Sequence, residues 1–170
     1  MNIHPFKKLA SLLFLSVVLF AFRPAQTLQT DFSGTWKLNE NKSELGQFGA
    51  RGVPSKIVIE QKADAISLTK TATSFQGDET TGTEMLTFDG KESESVFLGT
   101  SKKKSSIKWS ADGKEMVVTS NIAFEMQGQT IDISSVENWS LSADGKTIAV
   151  SSKINTPQGE IATKSVFDKQ

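Results

Sequence analysis

Glu137, a set of hydroxyl residues and three tryptophans are the side chains of this chain whose types and spacing point to chemistry, and that chemistry is recognition. In an extended chain, residues two apart share a face. Glu137 and Ser135 therefore share a side with Trp139, Ser120 with Met116 and Val118, and Ser152 with Ile148 and Val150. Thr163 and Ser165 likewise share one with Ile161 and Phe167, and Glu84 with Leu86 and Phe88. If these parities hold, the inside of the fold is apolar at one end and becomes wetter away from it. A bulge that flipped them would put the same polar residues in solvent. With the parity kept, Trp36, Trp109 and Trp139 line or floor a cavity. Ser120, Ser135, Ser152 and Thr163 line its polar part, and Glu137 becomes the anchor for a ligand head group. Burial should raise the Glu137 pKa unless Lys70 or a hydroxyl compensates.

Covalent and metal chemistry lack their parts. The chain has no cysteine and no tyrosine, its one histidine is His4, and Arg51 is its one arginine beyond residue 25. Serine and cysteine nucleophiles rely on an imidazole to take their proton, and zinc sites draw on His and Cys. Carboxylates, lysines and hydroxyls remain, without the spacing of a known catalytic set. No catalytic residue, metal ligand or cofactor is expected, and the chain reads as a non-enzyme.

His4 also sits in a segment that is not expected to belong to the fold. Lys7 and Lys8 precede an unbroken apolar run from Leu9 to Phe22, followed by Arg23 and Pro24. That is the order of parts in a secretory signal peptide. The run of about 14 residues is short of the roughly 20 that span a bilayer as a helix, so stable membrane insertion after cleavage is not expected. Residues 1–25 are predicted to be removed, with the mature start between Gln26 and Leu28, leaving one domain over 26–170 that is exported to the periplasm or secreted. The remainder carries 16 basic against 19 acidic residues, a net charge of −3, and its one basic run, Lys102 to Lys104, reads as a solvated strand end. A nucleic-acid partner is excluded on that balance.

The elements that must position these residues are strands. Apolar residues alternate with polar ones in short runs bounded by Gly, Asp, Asn and Pro, predicting strands over 31–38, 55–61, 65–73, 81–88, 92–98, 103–110, 115–126, 129–141, 147–154 and 161–168. Three connections repeat Asp-Gly-Lys, at 89–91, 112–114 and 144–146, and each predicts a tight hairpin; the last two share the longer context Ser-Ala-Asp-Gly-Lys. Successive turns of a meander alternate ends, so all three fall at one end, beside the large apolar residues. The chain therefore reads as all-β, an antiparallel up-and-down meander of about eight to ten strands in which the last can pair with the first and close a barrel. The one long connection, Asn39 to Pro54, falls at the other end as a lid, a binding loop or a disordered segment.

The first strand, Phe32-Ser33-Gly34-Thr35-Trp36, resembles the Gly-x-Trp signature that opens the lipocalins, within the wider calycin group. The resemblance implies an exported bacterial member of that group, with Trp36 as the floor tryptophan and the long first loop folded over the open end. About ten strands and no following helix look closer to its fatty-acid-binding branch. Two functions are open at this point. One is binding of a small, mostly apolar molecule inside the barrel. The other is an envelope interaction or inhibitor module, a filled barrel or β-sandwich that shows its loops to a protein partner. A solid core distinguishes the second.

Overall fold

Period-two alternation yields ten antiparallel strands among the residues that the computed structural model describes, 29–73, 77–97, 101–126 and 128–170. The expected signal segment lies outside them. The strands are β1 (Gly34–Leu38), β2 (Lys56–Gln61), β3 (Ala65–Thr73), β4 (Glu79–Thr87), β5 (Ser93–Phe97), β6 (Ser101–Trp109), β7 (Glu115–Met126), β8 (Gln129–Leu141), β9 (Thr147–Thr156) and β10 (Gly159–Lys169). They form one sheet in the order β4-β3-β2-β1-β10-β9-β8-β7-β6-β5. As expected, the last strand pairs with the first, Leu38 opposite Phe167.

Each ladder keeps one register from end to end, so no bulge flips a side chain from one face to the other. Closure follows from a contact between distant strands. Lys70 on β3 reaches Glu137 on β8 at 3.1 Å although four strands lie between β3 and β8 in the sheet. Laid flat, that separation is about 24 Å at the usual spacing of ~4.8 Å per strand, so the sheet must curl until its walls meet. The barrel is nearly rather than fully closed, because β4 and β5 do not hydrogen-bond.

That seam corrects the expectation of three tight hairpins. At Asp112 and Asp144 the serine two residues earlier donates its hydroxyl to the aspartate (2.6 Å in each) and accepts the N–H of Glu115 or Thr147. The glycine N–H returns to the serine carbonyl, and Gly113 and Gly145 take φ values of 70° and 69°. At Asp89 a threonine stands in the serine's place. Thr87 Oγ1 donates to the carboxylate at 2.6 Å and the Lys91 N–H binds it, as at the other two turns, but the Phe88 N–H goes to Asp64 O and the link runs on to Ser93 without pairing its flanking strands.

The core fills the end that carries these turns. Phe32, Trp36, Ile57, Ile66, Leu68, Leu86, Ile107, Met116, Val118, Trp139, Ile148 and Phe167 are essentially inaccessible there. Trp36 Nε1 satisfies itself on Phe32 O at 2.9 Å, and Lys169 Nζ lies 5.1 Å from the centre of its ring. The glycine of the Gly-x-Trp motif has a physical role. Gly34 has φ 143°, and a Cβ there would come within 2.9 Å of Lys169 Cε. The long connection is ordered as two 3-10 turns, Glu40–Lys42 and Gly46–Gly52, anchored on β10 by a backbone bridge between Glu44 and Lys164 and by Val166 N–H on Ser43 Oγ. It abuts β10 and β3, where the shorter β1 and β2 leave the wall low.

Candidate functional site

The inward positions form three layers along the barrel axis. Beyond the apolar plug lies a belt of polar side chains: Lys70, Glu84, Lys103, Ser105, Ser120, Ser135, Glu137, Ser152, Thr163 and Ser165. Beyond the belt, toward the end away from the Asp-Gly-Lys turns, the inward residues become apolar again. Ile122 stands opposite Ile133 and Ile154 opposite Ile161, and of these only Ile122 is buried, the other three being half-exposed. The expectation that the interior only becomes wetter is thus corrected: a polar belt separates a filled half from an open apolar half.

The belt is built from two ion pairs. Glu137 takes Lys70 Nζ at 3.1 and 3.4 Å and the Trp139 Nε1 hydrogen at 3.0 Å, and the ammonium lies 5.3 Å from the Trp139 ring centre. Both side chains keep only about a fifth of their surface exposed (20% and 21%). Burial alone would push the Lys70 pKa down. The charges of Glu137 and Glu84 and the hydrogen bond to Glu137 outweigh it, leaving the pKa above the usual lysine value. Burial would likewise push Glu137 up, but the charges of Lys70 and Lys103 and the hydrogen bonds from Lys70 and Trp139 hold it below the usual carboxylate value. The compensation expected from Lys70 is therefore what the structure contains. The second pair, Lys103 Nζ to Glu84 Oε2 at 2.8 Å, crosses the seam from β6 to β4. Glu84 Oε1 is buried and has no hydrogen-bond partner. Beside these pairs, Ser105 and Ser120 share a buried hydroxyl bond of 2.9 Å.

No family model matches the chain, and no curated protein matches it at a significant level. Among solved structures, it is similar to the zebrafish ileal bile acid-binding protein complexed with cholic acid, at 18% identity and a TM-score of 0.50, over 82% of this chain and 98% of that one. The fold is a calycin-like barrel.

Within this calycin-like barrel the residues singled out from the sequence separate into two groups. Glu137, Ser120, Ser135, Ser152 and Thr163 come together in the belt, Glu137 opposite Ser152, Ser152 opposite Thr163, and Ser120 opposite Ser135. The tryptophans lie on the plugged side. Trp36 and Trp139 are 1% exposed, and Trp109 packs on Phe32 (6.0 Å) and edge-on against Phe88 (5.4 Å). Trp139 reaches the belt, through its Nε1 on Glu137 and its ring beneath the Lys70 ammonium.

Sequence reasoning left out Lys103 and Ser105, put Glu84 on the inward side without counting it among the site residues, and treated Lys70 only as a compensating charge. It also read the run Lys102 to Lys104 as wholly solvated. Alternation turns the middle lysine inward to Glu84 while Lys102 and Lys104 stay exposed, so the same period-two rule, applied inside the run, would have found Lys103. Two grooves, one at Lys37 to Asn41 beside Asp168 and one lined by Lys102, Lys104, Asn121 and Asp132 together with Ile122 and Ile133 of the open half, contain no buried ionisable side chain.

Proposed function

We propose that this is an exported, non-enzymatic protein whose barrel holds a small, mostly apolar molecule in its open half, between the Lys70–Glu137 brace and the end away from the Asp-Gly-Lys turns. The observation that carries the reading is the return of apolar side chains beyond the belt. Ile133, Ile154 and Ile161 point into the barrel yet remain half-exposed, an arrangement that costs free energy in water and that an apolar ligand relieves. Isoleucines of a protein with a wholly filled core would be covered by their own chain. The similar zebrafish protein is a bile acid-binding protein complexed with cholic acid, and the likeness in fold supports the same kind of use here. The signal-peptide pattern at the N-terminus supports export.

Titration with the neutral probe N-phenylnaphthylamine tests the reading. Probe emission should rise and saturate, and native mass spectrometry of gently purified protein should retain a small molecule. A linear, unsaturable response would remove the cavity and leave the interaction module as the better account.

A further inference from the structure

Within the described strands the inward-facing ionisable groups are Lys70, Glu84, Lys103 and Glu137, with Lys169 at the plugged end over Trp36. The belt thus holds two positive and two negative charges, and both ammonium groups are already engaged, Lys70 by Glu137 and Lys103 by Glu84. An anionic head group placed here would meet two carboxylates and could gain a cation only by breaking a pair. A cationic head would leave an uncompensated charge in a low-dielectric space. Glu137 has both oxygens occupied, by Lys70 and Trp139. Glu84, only 6% exposed, has one oxygen on Lys103 and the other, Oε1, unpartnered. Among the described residues the other buried side-chain polar atom without a hydrogen-bond partner, Trp109 Nε1, belongs to a ring packed on Phe32 and Phe88 in the plug, with the belt between it and the open half.

From this arrangement we infer that the ligand is a neutral lipophile that enters head first and donates one hydrogen bond, from a hydroxyl or amide N–H, to Glu84 Oε1, with its chain among the inward isoleucines. The inference rests on the lipophile-binding reading above and moves the polar anchor from Glu137 to Glu84. An isolated acceptor at a buried position selects for a donor because a molecule lacking one leaves the carboxylate oxygen unpaired, while water offers every competitor its own hydrogen bonds.

Dodecanol, its methyl ether and dodecanoate share one chain and present a donor, an acceptor and an anion. Their affinities are read by displacement of N-phenylnaphthylamine at neutral pH. Dodecanol should bind at least about tenfold more tightly than either of the others, equivalent to ~1.4 kcal/mol. The preference should fall to within about twofold in Glu84→Leu/Lys103→Met, which removes the pair together. It should also fall in Glu84→Gln, whose carbonyl can keep Lys103 while its amide nitrogen meets the head group. Equal binding of dodecanol and the ether, tighter binding of dodecanoate, or a preference that survives both variants would overturn the inference while the lipophile reading stands. If the probe itself never saturates, the lipophile reading fails first and the inference falls with it.

Discussion

Replacing Lys70 with methionine and Glu137 with leucine, singly and together, measures the brace that crosses the barrel. At 3.1 Å and an effective dielectric constant of about 20, the two charges attract by roughly 5 kcal/mol, most of which the desolvation of both groups offsets. Removing one partner leaves the other charge nearly buried, and breaking a fully buried pair costs about 3 to 5 kcal/mol. Because a fifth of each side chain still meets water, about 2 kcal/mol is expected for Lys70→Met, whose departure leaves Glu137 with Trp139 and the field of Lys103. About 3 kcal/mol is expected for Glu137→Leu, which also strips the acceptor from Trp139 Nε1. The double variant buries no lone charge and should cost only about 2 kcal/mol, which leaves a coupling near 3 kcal/mol. Urea unfolding followed by circular dichroism reads all four corners of the cycle. A coupling below about 0.5 kcal/mol would show that the two side chains do not meet across the lumen, and with that contact the curl of the sheet as argued from it would fall.

Three other outcomes follow from the same structure. Trp36→Ala should destabilise the fold by about 3 to 5 kcal/mol, because it empties a fully buried aromatic site and frees the Phe32 carbonyl, and an unchanged thermal midpoint would contradict the burial. Stability should have a plateau bounded by the brace. Its contribution is complete above the ordinary carboxylate value of 4.5 and is lost as pH falls through the lower folded value of Glu137. It is also complete below the ordinary lysine value of 10.5 and is lost as pH rises through the higher folded value of Lys70, so the Lys70→Met/Glu137→Leu chain should show a flatter profile in urea titrations across pH. Protein recovered from the envelope or medium should begin between Gln26 and Leu28 on N-terminal sequencing, and an intact Met1 there would refute export.

What was legible in the sequence is what one strand carries by itself. The spans 65–73, 115–126 and 129–141 coincide with β3, β7 and β8 because alternation is a local property of the chain, and the inward side of each follows once the registers run without a bulge. The seam was half-legible. In the two Ser-Ala-Asp-Gly-Lys turns the serine hydroxyl also accepts an N–H from the returning strand, whereas Thr87-Phe88 before Asp89 keeps the bond to the aspartate but sends the Phe88 N–H to Asp64, at the turn that does not pair. The candidate site was legible one wall at a time and not across the lumen. Glu137 shows its parity on β8, but its partner Lys70 lies 67 residues away on β3, and Lys103 meets Glu84 only because the seam brings β6 to β4. Glu84 is therefore the residue that no local reading could promote. Its importance lies in having one oxygen taken by a lysine from another wall and the other left over, and only closure of the sheet determines both.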